Sequence, residues 1–89
     1  MTPNFITLDE IEAARIRIAS HIRRTFVNPS ETLSERVSQP VYLKLEHQQI
    51  TGSFKLRGAT NAVLSLDAAA RANGIVAVST GNHGRALAY

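Results

Sequence analysis

The sequence predicts an α/β fold, a parallel sheet flanked by helices, and three observations carry that prediction. Val41, Leu43 and Leu45 alternate with Tyr42, Lys44 and Glu46, a continuous apolar run Ile75-Val76-Ala77-Val78 lies farther on, and a helical repeat separates the two. Strand, helix and strand in that order form a crossover unit, which sets two strands parallel in one sheet.

Each element follows from local chemistry. Thr7 with Glu10 three residues on has the form of a capping box, and Ile11, Ala14, Ile18 and Ile22 then share one face. A first helix is predicted from Leu8 to Ile22. From Arg24 to Pro40 the signals are turns, because Asn28-Pro29-Ser30 and Ser38-Gln39-Pro40 both bias the backbone away from helix. Short irregular or strand pieces are expected there. The alternation from Val41 to Glu46 predicts a strand with two unlike faces. Gly52 then breaks the chain, Ser53 is the candidate N-cap, and Leu56, Ala59, Thr60, Val63 and Leu64 give a helix over Phe54 to Ser65. Asp67 caps a short helix through Arg71 or Ala72, which Asn73-Gly74 ends in a left-handed turn. The run Ile75 to Val78 predicts a strand covered on both faces, and Ser79 to His83 form the turn into a further helix.

At 89 residues the chain is one domain at most, with a modest core. Ser79 to Tyr89 begin a new helical pattern with no stop signal, so residues 1–89 are expected to be a single incomplete segment that starts a longer protein. With 44% hydrophobic and 19% charged residues the chain is too apolar to be disordered. The absence of cysteine excludes a disulfide frame and a thiolate metal site. No apolar run approaches the length of a membrane span, and Met1-Thr2-Pro3-Asn4 does not open a leader peptide, so a cytoplasmic location is the default. The formal charge of +3 comes largely from Arg15, Arg17, Arg23 and Arg24, which read as a solvated helix face whose last turn complements the helix dipole.

Two stretches carry chemistry. In Gly52-Ser53-Phe54-Lys55-Leu56-Arg57-Gly58-Ala59, Lys55 opens a helix, where the dipole disfavours an ammonium. Beside Phe54 and the Arg57 guanidinium its pKa is expected to be pushed down, toward the amine that forms Schiff bases with carbonyl compounds. The plain alternative is a solvated surface lysine. Gly58 costs a helix interior about 1 kcal/mol relative to alanine, which points to close packing or close approach of a ligand. In Ser79-Thr80-Gly81-Asn82-His83-Gly84, free N–H groups at a helix start suit a carboxylate or phosphate, at the strand end where α/β ligands gather. A plain strand-to-helix turn capped by Asn82 or Thr80 is the alternative. His83 alone reads as a structural hydrogen-bonding group, and His21, His47 and His83 lack the spacing of a metal site.

SFKLRGA and STGNHG, with VYLKLE just upstream, resemble the amino-terminal part of the fold-type II pyridoxal-phosphate enzymes, the tryptophan synthase beta-like fold. Within them the wording is similar to threonine or serine dehydratases (ammonia-lyases) and serine racemases, from about Leu8 to Tyr89. The resemblance implies that Lys55 carries pyridoxal phosphate as a Schiff base and then transfers the substrate proton. It implies that Phe54 packs on the pyridine ring, that Asn82 hydrogen-bonds the cofactor's phenolic oxygen, and that Ser79, Thr80, Gly81, Asn82 and His83 hold the substrate carboxylate. The reaction implied is α-proton abstraction and β-elimination of water from a hydroxy amino acid, then hydrolysis of the resulting enamine to a 2-keto acid and ammonia, in a homo-oligomer with no nucleic-acid or membrane partner.

Two departures bear on this. Serine racemases place a serine after the residue matching Ser79, as a second base, and dehydratases often an alanine; here Thr80 leaves racemisation open. GATNAVLSL after Arg57 also resembles dehydratases of hydroxyectoine breakdown. The family's glycine-rich phosphate loop is absent from these residues, so the segment alone is expected to be inactive. The same residues offer two readings from other classes. Gly81-Asn82-His83-Gly84 has the GxxG spacing of RNA-binding KH domains, and a mononucleotide-binding half-domain would need a GxGxxG or GxxxxGK[ST] loop that the chain lacks.

Overall fold

A computed structural model describes residues 4–89; Met1-Thr2-Pro3, within the stretch read above for a leader, lie outside the described residues. The order is α1 (Leu8–Ile18), β1 (Val27–Pro29), α2 (Glu31–Val37), β2 (Tyr42–Lys44), a 3-10 turn (Glu46–Gln48), α3 (Lys55–Leu64), α4 (Ala68–Ala72) and α5 (Asn82–Ala88).

The capping box opens α1: Glu10 N–H donates to Thr7 Oγ1 at 3.2 Å, and Thr7 N–H donates to Glu10 Oε2 at 2.7 Å. The helix ends at Ile18 rather than Ile22, where His21 N–H bonds back to the Ile18 carbonyl and tightens the last turn. The turn-rich stretch contains a short strand, as expected, and also a helix that the prolines concealed. Ser30 Oγ caps α2 by accepting from Leu33 N–H at 3.3 Å, and Ser38 ends it with φ of 54°. A serine in the left-handed region is an uncommon C-cap, so this terminus carried no glycine signal. Asp67 caps α4 through Ala70 N–H, and Gly74 ends it at φ of 76° with its N–H on the Arg71 carbonyl, in agreement with the sequence.

The sheet differs from expectation. β1 and β2 form a two-stranded antiparallel ladder pairing Val27 with Lys44, Asn28 with Leu43 and Pro29 with Tyr42, and no parallel pair occurs among the described residues. The strand predicted from Val41 to Glu46 narrows to its middle three residues, both faces exposed, and Glu46 passes into the 3-10 turn. The run Ile75 to Val78 forms no strand and is not covered: Val76 and Val78 are 97% and 99% exposed. The physical reason is that a strand exists only through a neighbour, and no other described segment lies alongside this one.

The core is correspondingly small. Leu56, fully buried on α3, meets Ala59 and Ala86 of α5, with Ile22 and Leu87 packed against them. The radius of gyration is 16.5 Å, against about 12 Å for a compact chain of this length. The accessible surface is 7311 Å², against about 5,100 Å² for a compact monomer of this mass. The chain is thus an open frame in which α3 is held between α1 and α5. Among the described residues no helix is long and apolar enough to cross a membrane.

Leu56→Ala removes the one large side chain that is wholly enclosed. The expected loss of stability is about 2–5 kcal/mol, measured as a lowered denaturant midpoint of the intact protein.

Candidate active site

Lys55 is the first residue of α3. The predicted cap shifts by one position: Phe54 is the N-cap and offers no side-chain bond, while Ser53 Oγ accepts from Lys55 N–H at 3.3 Å. Gly52 precedes this start at φ of 85°, a left-handed turn closed by its N–H on the Gln49 carbonyl at 2.8 Å. The Lys55 ammonium lies 5.9 Å from the centroid of the Phe54 ring, within cation–π range. Among the described residues it makes no ion pair.

Arg57 does not sit beside Lys55 as the sequence suggested. Residues two apart on a helix project about 200° from one another, and Arg57 turns to Glu46. Its Nε and Nη2 both donate to Glu46 Oε1, at 3.0 and 2.7 Å. Thr25, itself buried, donates its hydroxyl to the same oxygen at 2.8 Å, and Lys44 Nζ donates to the Thr25 carbonyl. Gln49, 3% exposed, pairs its amide with one backbone unit: it accepts from Arg23 N–H at 2.7 Å and donates to the Arg23 carbonyl at 2.8 Å. The guanidinium of Arg57, supported by Thr25 and Gln49 and opposed by burial, lowers the Glu46 carboxyl from 4.5 to about 2. The arginine cluster is likewise engaged rather than merely solvated: Arg17 donates to Asn61 Oδ1 at 2.7 Å, and Arg23 Nη1 donates to the Gln48 carbonyl at 2.6 Å.

The second stretch folds on itself. Ser79 Oγ accepts from Gly81 N–H at 3.1 Å and from Gly84 N–H at 3.0 Å. Two of the donors expected to face an anion thus turn to a hydroxyl of the same turn. A Cβ on Gly84 would stand 3.3 Å from Ser79 Cβ, which explains glycine at that position. Ser79, Thr80, Gly81, Asn82 and His83 are all exposed. The segment from Gly74 to Ser79 ahead of Gly81 has no helix, so this GxxG does not join two helices as a KH loop would.

One cleft gathers part of the predicted set. A cavity of about 250 Å³ between α3 and α5 is lined by Phe54, Lys55, Gly58, Ala59, Ala62, His83 and Leu87. Phe54, Lys55 and His83 therefore share a wall; Ser79, Thr80, Gly81 and Asn82 lie on the turn beside it and do not line it. Gly58 meets no packing neighbour, since a Cβ there would find nothing within 4 Å. Close packing among the described residues is not its reason. The residues that reading the sequence missed are Glu46, Gln49 and Thr25, whose contacts span 11 to 26 positions and leave no local periodicity. Thr51, buried with its hydroxyl unpaired among the described residues, was also missed. No group of three or more metal-ligating side chains occurs among the described residues.

Because the folded Glu46 carboxyl titrates below its ordinary value, its contribution to stability is complete above about pH 4.5 and is lost as pH falls toward 2. The denaturant midpoint of the intact protein is expected to drop across that interval, and Glu46→Gln to flatten that part of the profile.

Comparison with known proteins places the chain in a family. Residues 18–89 match the pyridoxal-phosphate dependent enzyme family. A serine racemase of Dictyostelium discoideum is 45% identical over 84 residues, which are 94% of this chain and 26% of that protein. Its crystal structure superposes with a TM-score of 0.86, covering 94% of this chain and 27% of the other. A catabolic L-threonine dehydratase of Staphylococcus aureus is 43% identical over 88 residues, 98% of this chain and 25% of that protein. A beta-hydroxyaspartate dehydratase of Paracoccus denitrificans is 45% identical over 83 residues, 93% of this chain and 26% of that protein. The chain spans about a quarter of the length of these relatives. With an amine at the head of α3, a match over most of its length and a close superposition, the chain belongs to the fold-type II pyridoxal-phosphate dependent enzymes, among threonine dehydratases and serine racemases.

Proposed function

We propose that this chain is the amino-terminal, incomplete segment of a catalytic domain that eliminates water from a hydroxy amino acid such as serine or threonine, yielding a 2-keto acid and ammonia. The observation that carries the reading is Lys55, an exposed primary amine at the head of α3 that lines a cleft together with an aromatic ring and a histidine. The names of the relatives support the substrate class. The open shape and the uncovered Ile75 to Val78 support an incomplete segment.

The residues present fit the cofactor. Lys55 is unpaired in ion pairs among the described residues, Phe54 offers an apolar face, and Gly58 leaves open space on the same wall. In this reading Lys55 holds pyridoxal phosphate, Phe54 packs on its ring and Asn82 bonds its phenolic oxygen. Bound pyridoxal phosphate supplies an electron sink for the charge left by proton removal. With the cofactor bound, Lys55 Nζ would take the substrate's α-proton, the Cβ–O bond would break with hydroxide leaving as water, and the enamine released would take up water to give the 2-keto acid and ammonia. The turn from Ser79 to His83 holds the substrate carboxylate, with the N–H groups of Asn82 and His83 at the start of α5 available for it.

Borohydride reduction of the intact protein with its cofactor, followed by peptide mapping, is expected to place the label on Lys55; label on another lysine overturns the assignment. Lys55→Ala is expected to lower keto-acid formation from serine or threonine by about 10²–10⁴-fold. Formation of the D-amino acid in place of keto acid, abolished by Thr80→Ala, would move the reading to racemisation.

A further inference from the structure

We propose that Glu46 and Arg57 are positioning residues for Lys55: their ion pair clasps the two ends of the loop that presents the lysine and fixes the direction in which its amine leaves α3. This rests on Lys55 being the cofactor lysine.

Local capping is too weak to fix the start of α3. Phe54 contributes no side-chain bond, Ser53 only one at 3.3 Å, and Gly52 sits in a left-handed turn that can be entered from many directions. The long-range contacts are short and convergent. Arg57, in the first turn of α3, puts two N–H groups on Glu46 Oε1, which Thr25 also engages. A two-pronged guanidinium sets orientation as well as distance. Gln49 binds Arg23 through both the oxygen and the nitrogen of its side-chain amide, and that oxygen also accepts from Ile50 N–H at 3.2 Å, so the incoming end of the loop is tied to the segment before β1. The loop from Glu46 to Arg57 is therefore closed at its base and carries Lys55 next to the closure.

Three consecutive residues then divide the space around the helix. Leu56 goes wholly into the core against Ala59 and Ala86, Arg57 goes to Glu46, and Lys55 takes the remaining direction, toward the cleft with His83. Steps of about 100° per residue keep these three directions distinct. Two anchored neighbours thus aim a side chain that makes no ion pair among the described residues and touches the Phe54 ring at the edge of cation–π range. Removing the clasp frees α3 to rotate about Leu56, and a small misplacement of a reacting group is costly in rate.

The test uses intact apoprotein to which pyridoxal phosphate is added, with two readouts: the rate at which borohydride fixes label on Lys55, and the visible absorption band of the lysine-bound cofactor. Glu46→Ala and Arg57→Lys are expected to slow labelling about 10- to 100-fold and to shift or broaden the band, with Glu46→Asp restoring part of both. Ser30→Ala, which removes the cap of α2 away from this loop, serves as a control for lost stability and is expected to change neither. If Glu46→Ala does not fold, Arg57→Lys and Glu46→Asp decide the matter. Wild-type labelling at Lys55 with unchanged rate and band in the Glu46 and Arg57 variants overturns the clasp, as does an equal effect of Ser30→Ala. A wild-type protein that takes no label at Lys55 overturns instead the assignment on which the clasp rests.

Discussion

One carboxylate organises the working end of this chain. Glu46 receives the guanidinium of Arg57 and the hydroxyl of Thr25 on one oxygen and lies 3.4 Å from the Gln49 amide nitrogen with the other, so three segments that are remote in sequence meet around one carboxylate. Such a group is costly to bury without partners, and here Oε1 has three donors. Leu56, Ala59 and Ala86 hold α3 on α5, and Arg17 of α1 bonds Asn61 of α3. The polar hub ties the first turn of α3 to the loop ahead of it.

How much of this was legible follows from how far each interaction reaches. The cap at Thr7, the cap at Asp67 and the left-handed Gly74 are contacts within four residues, and they read correctly because cause and effect lie in the same window. The helix of Lys55 was legible for the same reason, to within its first residues. α2 was hidden since both of its ends use serine, one of them at positive φ where glycine or asparagine would have announced it. Arg57 was noticed but assigned to the wrong neighbour: proximity in sequence suggested Lys55, while helix geometry delivers it to a residue 11 positions back.

The candidate site shows the same division. Phe54, Lys55 and His83 line one cleft, two of them from the first motif and one from the second. The turn at Ser79 was expected as an anion cradle, and its geometry is that of a turn satisfied by its own hydroxyl, with Gly84 small because Ser79 leans on it. Ser79 therefore shapes the turn from within. Composition foretold a strand at Ile75 to Val78 because β-branched residues suit one, yet pairing is a property of two segments and no single run can state its partner.

That uncovered run has a consequence for how such a polypeptide behaves while it is being made. Four apolar residues outside any helix or strand, with side chains nearly bare at Val76 and Val78, leave backbone donors and acceptors open to pairing. Another copy of the same run is the nearest such shape at high concentration, and two copies in register would bury what one leaves in water. Pairing of this run inside a fold therefore competes with pairing between copies.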